Sequence, residues 1–284
     1  MTNPSSAGED FLVDGTSLMT QAYAISTITG TERLPPKVGD NIRVPYRHGQ
    51  VWKPKTFDQQ VITLGMWVRG VDVNGNLSGD ARAQYRSNLR TLKKLFAPTG
   101  RQLSLQRTVL WSTGLTTHTG LGEASSQMDV TGVSRSAGTF TVDLRMADPW
   151  WYGSQIVTPG ITSAGATVNN PGDVEVSAMK LRFNGPLNGP MLTNTSITTG
   201  FGPGGNVLLL LAMNIAAGHY VDVDTTAFTA IDDTSISQIV YVAHQGSQRW
   251  MILAPGNNVF TLGNWTGGAV GAGNVVITYS PPYI

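Results

Sequence analysis

Residues 78–98, SGDARAQYRSNLRTLKKLFAP, decide how this chain is read. Ala81, Tyr85, Leu89, Leu92 and Phe96 recur at spacings of three and four, which gathers them into one apolar stripe on a helix of 3.6 residues per turn. Arg82, Arg86, Arg90, Lys93 and Lys94 line the rest. Ser78 is placed to cap the first N–H groups, Asp80 lies where the helix dipole favours an anion, and Pro98 with Gly100 blocks continuation. The pattern predicts a helix over 79–97, about five turns long. So narrow a stripe needs a sheet to pack on, so the expected fold is mainly β with one helix laid across it, not a doubly wound α/β enzyme.

Composition points to two domains and to extensive contacts. The 284 residues exceed the usual single-domain size of about 100–150. Up to Trp151 there are 16 Lys and Arg against 12 acids, net +4; from Tyr152 onward there are 3 against 6, net −3. Charged residues are 13% of the chain where about 25% is ordinary, and the 33 glycines are well above the usual share of about 7%, which suggests surface buried against neighbours. The absence of cysteine removes disulfides, thiolate nucleophiles and Cys-based metal sites. Residues 1–10 lack a basic region followed by an apolar segment, and the longest apolar run, 207–213, is far below the ~20 residues that span a bilayer, so no membrane insertion is expected. A net charge of +1 makes no general case for nucleic-acid affinity, and the helix carries the chain's basic cluster.

Strand signals dominate elsewhere. Residues 61–73 place Ile62, Leu64, Met66 and Val68 on one parity and end at the Asn74-Gly75 turn; 101–107 place Leu103 and Leu105 on one parity; 139–146 alternate Phe140, Val142, Leu144 and Met146 with polar residues. Between them, 112–136 is rich in Thr, Ser and Gly and reads as a loop or extended arm. Asp148, Pro149, Trp150, Trp151 and Tyr152 end this part with a large aromatic surface, predicted to pack at a domain junction, which gives domains 1–153 and 154–284. The second half offers strands at 174–183, 206–213, 219–224, 238–243, 249–253, 258–262 and 274–279, the pattern of a β-sandwich or jelly roll.

Chemistry finds few footholds. Residues 200–205, GFGPGG, match a dinucleotide fingerprint with Asp222 at a suitable distance, but the run that follows is apolar all round, Pro203 interrupts the loop and no βαβ series surrounds it, so a Gly-rich hairpin or loop is the reading. His48, His118, His219 and His244 are scattered, and on a strand His219 and Asp222 point to opposite faces, which breaks a shared metal geometry. Asp232-Asp233 reads as a turn beside Thr234 and Ser235. No nucleophile elbow, H-E-x-x-H helix or P-loop occurs. Trp250, Trp265, Tyr241, Tyr279 and Tyr283 could stack on sugars, though core packing is their commoner use. No catalytic residue, cofactor site or metal site is expected. For Arg82, Arg86, Arg90 and Lys93 a solvated face or a subunit contact is the commoner use, phosphate binding the rarer one.

In order, these segments resemble the distal tail protein family of long-tailed bacteriophages with non-contractile tails, over nearly the whole chain. The resemblance rests on Tyr46-Arg47-His48-Gly49, Lys55 and Asp58 before the strand at Ile62, Tyr85-Arg86 with Leu89, Leu92 and Phe96, Arg101-Gln102-Leu103, and Ala147 to Gly153. It continues with Asn170-Pro171-Gly172-Asp173, Val223-Asp224-Thr225 and Trp250 through Leu253-Ala254-Pro255-Gly256-Asn257-Asn258. The family implies an N-terminal tail-tube-like β-sandwich or barrel whose copies form a ring, usually hexameric, and a galectin-like C-terminal β-sandwich outside it. It further implies that the ring stacks on the tail tube protein and the tail-tip hub, with the tape measure protein and receptor-binding or side-fibre proteins as further partners. It implies as well that genomic DNA passes only in transit and that the protein sits at the distal end of the virion tail after assembly in the host cytoplasm. The 112–136 segment, with Thr116 and Thr117, would then be an arm on a neighbouring subunit. The Gly-rich loops at 200–205 and 263–273 depart from shorter members. A structural ring protein is thus the main expectation, a glycan-binding β module the second and a glycoside hydrolase the third.

Overall fold

A computed structural model describes residues 10–31, 33–39, 42–43, 50–51, 56–77, 79–97, 100–111, 114–126, 128–198, 206–245 and 250–284. The chain divides into two compact units, Met1–Trp151 together with Ile284, and Tyr152–Tyr283. Both are mainly β, as the periodicities predict, and no helix among the described residues is long and apolar enough to cross a membrane.

In the first unit the elements are β1 (Asp10–Val13), β2 (Thr16–Ser17), β3 (Tyr23–Thr29), β4 (Lys37–Val38), β5 (Ile42–Arg43), β6 (Gln50–Val51), β7 (Thr56–Phe57) and β8 (Gln60–Arg69). After α1 (Ala81–Leu95) come β9 (Leu103–Trp111), β10 (Gly114–Ala124), β11 (Asp129–Ser134), β12 (Ala137–Met146) and β13 (Trp151–Tyr152). The main sheet runs β2-β1-β9-β10-β12-β8-β3 with β11 beside β12. It begins and ends on different strands, which decides against a closed barrel. Its core is the alternation seen in the sequence: Ile62, Leu64 and Met66 of β8 stand opposite Leu144, Val142 and Phe140 of β12, all buried.

The helix is about a turn shorter than expected. Asp80 is the cap, its carboxylate accepting the Arg82 N–H at 2.9 Å, and the proposed cap Ser78 and stop Pro98 lie outside the described residues. Leu92 and Phe96 are buried, while Ala81, Tyr85 and Leu89 are half-buried. The helix packs on β8 through a polar residue the stripe omitted. Asn88 is buried, donates from Nδ2 to the carbonyls of Arg69 (2.7 Å) and Val71 (2.8 Å), and accepts from Gln84 Nε2.

Residues 112–136 are not a loop, though 112, 113 and 127 lie outside the described residues. β10 pairs with β9 from Gly114 to Gly122 and with β12 at Glu123 and Ala124, and β11 pairs with β12. The Thr- and Gly-rich composition hid this because β10 fills its buried face with His118, Gly120 and Gly122. A Cβ at Gly120 would run into Met146, with Trp151 in contact beside it, and one at Gly122 into Leu105, so the bulk of that face comes from other elements.

The second unit continues with β14 (Ile156–Val157), β15 (Ala166–Asn170), β16 (Met179–Asn184), β17 (Leu187–Asn188), β18 (Pro190–Thr198), β19 (Asn206–Leu211), β20 (Asn214–Ile215), β21 (Tyr220–Asp224), β22 (Thr229–Asp232), β23 (Val242–Gln245), β24 (Gly256–Asn264), β25 (Asn274–Tyr279) and β26 (Pro282–Tyr283). Two five-stranded antiparallel sheets, β14-β25-β16-β21-β22 and β15-β24-β18-β19-β23, close on a continuous apolar core, the β-sandwich expected. β15, β18 and β22 were not foreseen.

Residues 249–253, expected as a strand, are not one: only Val176 bridges to Leu253, and Arg249 lies outside the described residues. Met251 to Leu253 is buried, and side chains instead of a ladder satisfy much of this stretch's backbone. Asn194 Nδ2 donates to the Ile252 carbonyl (3.0 Å) and to Asn258 Oδ1, which accepts from the Ala254 N–H (2.9 Å), while Asn258 Nδ2 donates to the Ala254 carbonyl (2.8 Å). Residues 238–243 likewise begin as a 3-10 turn, Ile239–Tyr241, before β23.

Candidate functional site

Among the described residues, the polar motifs of the second half hold backbone. Asn170 and Asn258, from the two Asn-containing motifs, hold backbone, and Thr225 Oγ1 accepts the Met179 N–H (2.9 Å) and donates to the Ser177 carbonyl (2.6 Å). Residues 200–205 lie outside the described residues, but they join β18 to β19, which pair antiparallel, so no strand–helix dinucleotide unit is built there. His219 Nδ1 meets Asp233 Oδ2 at 2.8 Å, whereas Asp222 accepts from Nε and Nη2 of Arg182, each at 2.7 Å. That hydrogen-bonded pair raises the Arg182 pKa. His219 and Asp222 thus go to separate partners, in keeping with their opposite strand faces. His48 lies outside the described residues, and so does the side chain of His244. Among the described residues no three His, Asp or Glu side chains converge as metal ligands.

The aromatic side chains of the second unit divide in the same way. Trp250 and Tyr279 are buried in the core, while Trp265 and Tyr241 are exposed on separate segments. Asp232-Asp233 is a turn: Asp232 accepts from the N–H groups of Thr234 and Ile236 and from Gln238 Nε2, and these bonds, that from Ile236 foremost, hold its carboxyl below the ordinary range.

In the first unit the predicted interface residues form two surfaces. Arg82, Arg86, Arg90 and Lys93 are all exposed on α1, and none forms an ion pair among the described residues. Thr116 and Thr117 sit on opposite faces of β10; Thr117 is exposed and its Oγ1 is 3.2 Å from that of Thr108 on β9.

The aromatic run at 148–152 has separate fates. Trp151 is fully buried inside the first unit, edge-on to Phe11 (6.1 Å) with the Arg107 guanidinium 4.7 Å over its ring, so it is a core residue of that unit. Trp150 is half-buried and packs edge-on to Phe57 at 5.0 Å; Asp148 is exposed, and Pro149 and Tyr152 are half-buried. Arg107 itself is buried and donates to the carbonyls of Thr31 (3.3 Å) and Ile284 (3.1 Å). Its parity offered a signal, since Arg107 follows Leu103 and Leu105 onto the inward face of β9.

Fold and surfaces together define a class: a two-unit, mainly β protein whose distinctive side chains hold backbone or lie on open surface. Among solved structures it is similar to the Dit protein (gp 19.1) of phage SPP1, described as a paradigm of the hub adsorption apparatus in phages infecting Gram-positive bacteria. The TM-score is 0.65 at 13% identity, over 97% of this chain and 99% of that one. The fold is therefore that of SPP1 Dit, as the resemblance to distal tail proteins implied. Two structures of the phage p2 baseplate in its activated conformation, with Sr and with Ca, align at TM-scores of 0.41 and 0.40 and 8% identity over 95% of this chain and 98% and 97% of theirs, too distantly to argue from. No protein-family model and no curated protein matches the chain.

Proposed function

We propose that this protein is a structural component of a bacteriophage tail tip: a distal tail protein without catalytic activity, whose copies form a ring that joins the tail tube to the tip hub and leaves a channel for DNA. The observation that carries this reading is a likeness to SPP1 Dit that spans both units and nearly the full length of both chains. Six is the expected subunit number. The tail tube protein and the hub are the axial partners, the tape measure protein occupies the channel before DNA does, and the second unit is offered outward to fibre or receptor-binding proteins. The basic face of α1 supports the reading as well. Four cations with no acidic partner among the described residues are available to a neighbour, and buried against one they are worth more than in water.

Negative-stain imaging and light scattering of the purified chain test the ring. Closed annuli of one size are expected; a monodisperse monomer at every concentration overturns the proposal. Arg86→Glu is expected to keep the wild-type melting temperature, as an exposed substitution should, and to lower the assembled fraction severalfold. Unchanged assembly would remove α1 from the interface.

A further inference from the structure

We propose that His118 and Arg107 form an acid-sensitive latch in the core of the first unit, in which an imidazole stays neutral because a permanent cation faces it. Arg107 of β9 stands in register with Phe11 of β1 on one side and His118 of β10 on the other, so the three side chains form one row across the inward face of neighbouring strands. All three are buried, His118 at 1% exposed and Arg107 at 6%. Trp151 closes over the row, edge-on to Phe11 and beneath the Arg107 guanidinium.

The guanidinium keeps its proton throughout the range in which an imidazole titrates. It donates to the carbonyls of Thr31, which lies just beyond β3, and of Ile284, so the row ties β9 to the strand at the far end of the sheet. An imidazolium at His118 would bring a second cation onto the neighbouring strand, with the two Cβ atoms about 5 Å apart. Burial and like charge then act together against the protonated form, and the bonds of Arg107 are what a second charge pushes apart.

Other groups around the row do not offset that cost. Among the described residues no Asp or Glu takes an inward position on β1, β8, β9, β10 or β12. Asp10 is on the opposite parity of β1 and already accepts from Ser17 Oγ and the Phe11 N–H, while Arg33, which lines one groove with Asp10 and Arg107, adds a further cation. The ionisable residue of β3, Tyr23, has its hydroxyl pushed up by burial and is neutral here. The second unit has no such pair: among the described residues its buried polar side chains are Thr and Asn. Mild acid therefore acts on one unit.

Calorimetry of the full chain from about pH 8 to about pH 5 tests the latch. Unfolded, His118 takes up a proton at about pH 6.5; folded, it does not, so the first unit has its full stability above that pH and loses it below. Its unfolding constant is expected to rise as the pH falls, approaching about tenfold per pH unit, and His118→Gln is expected to remove that slope. A flat wild-type profile, or a variant that keeps the wild-type slope, overturns the proposal. Should the variant not fold, the wild-type protein answers alone: of the four imidazoles of the chain, followed by NMR on histidine-labelled protein, one is expected to be neutral still at about pH 5. Protonation of all four by that pH overturns the latch, and neither result touches the ring.

Discussion

The two units use polar side chains in opposite ways. In the first, single polar side chains tie one element to another: Asn88 ties α1 to the end of β8, and Arg107 ties β9 to Thr31 and to Ile284. In the second, short asparagines hold a single irregular stretch inside an otherwise apolar sandwich. Their surfaces differ too. The second unit pairs its own charges, Arg182 with Asp222, Lys180 with Asp224 and His219 with Asp233, whereas the α1 cations of the first pair with nothing on the chain among the described residues. Exposed ion pairs add little stability, so the contrast bears on availability: the first unit pairs Arg101 with Asp14 but leaves the α1 cations open.

The sharpest way to break this comparison is Trp151→Ala. It removes the largest fully buried side chain of the first unit and should cost about 3–5 kcal/mol, seen in calorimetry as one transition moving down while the other stays. If both transitions moved together, the units would not be energetically separate. Next comes Asn88→Leu, which leaves the carbonyls of Arg69 and Val71 without their donor and should destabilise the first unit by about 1–3 kcal/mol; wild-type denaturant unfolding would show that the tether is idle. The smallest effect belongs to the second unit. Asp232 has its folded pKa below the unfolded value of about 3.9, so its contribution is full above that pH and is lost as the pH falls through the folded pKa. Amide protection at Thr234 and Ile236 should fall in that acid range while β21 stays protected, and constant protection would show that the carboxylate does not hold the turn.

Much of this was legible in the chain. The stripes on β8 and β12 and the existence of α1 followed from periodicity, because a half-buried element must alternate at its own repeat. Asn88 and Arg107 were not legible as core residues, although each sits on an inward position, because a polar side chain is buried only when a carbonyl at some other place in the chain comes to meet it. Residues 249–253 looked like a strand for the complementary reason. Their apolar content reported burial correctly, but whether a buried backbone joins a ladder or is held by asparagines depends on which neighbours the fold supplies.

Amino-acid order alone therefore determined the class of the fold, the main alternating strands, the single helix and its basic face, since these depend on local spacing and on water. Only the tertiary structure decided that the Thr- and Gly-rich segment is sheet, that Trp151 belongs to a core, and that Asn88 and Arg107 are buried on distant carbonyls. Those facts arise from pairings between residues far apart in sequence, and local periodicity contains no information about which distant partner arrives.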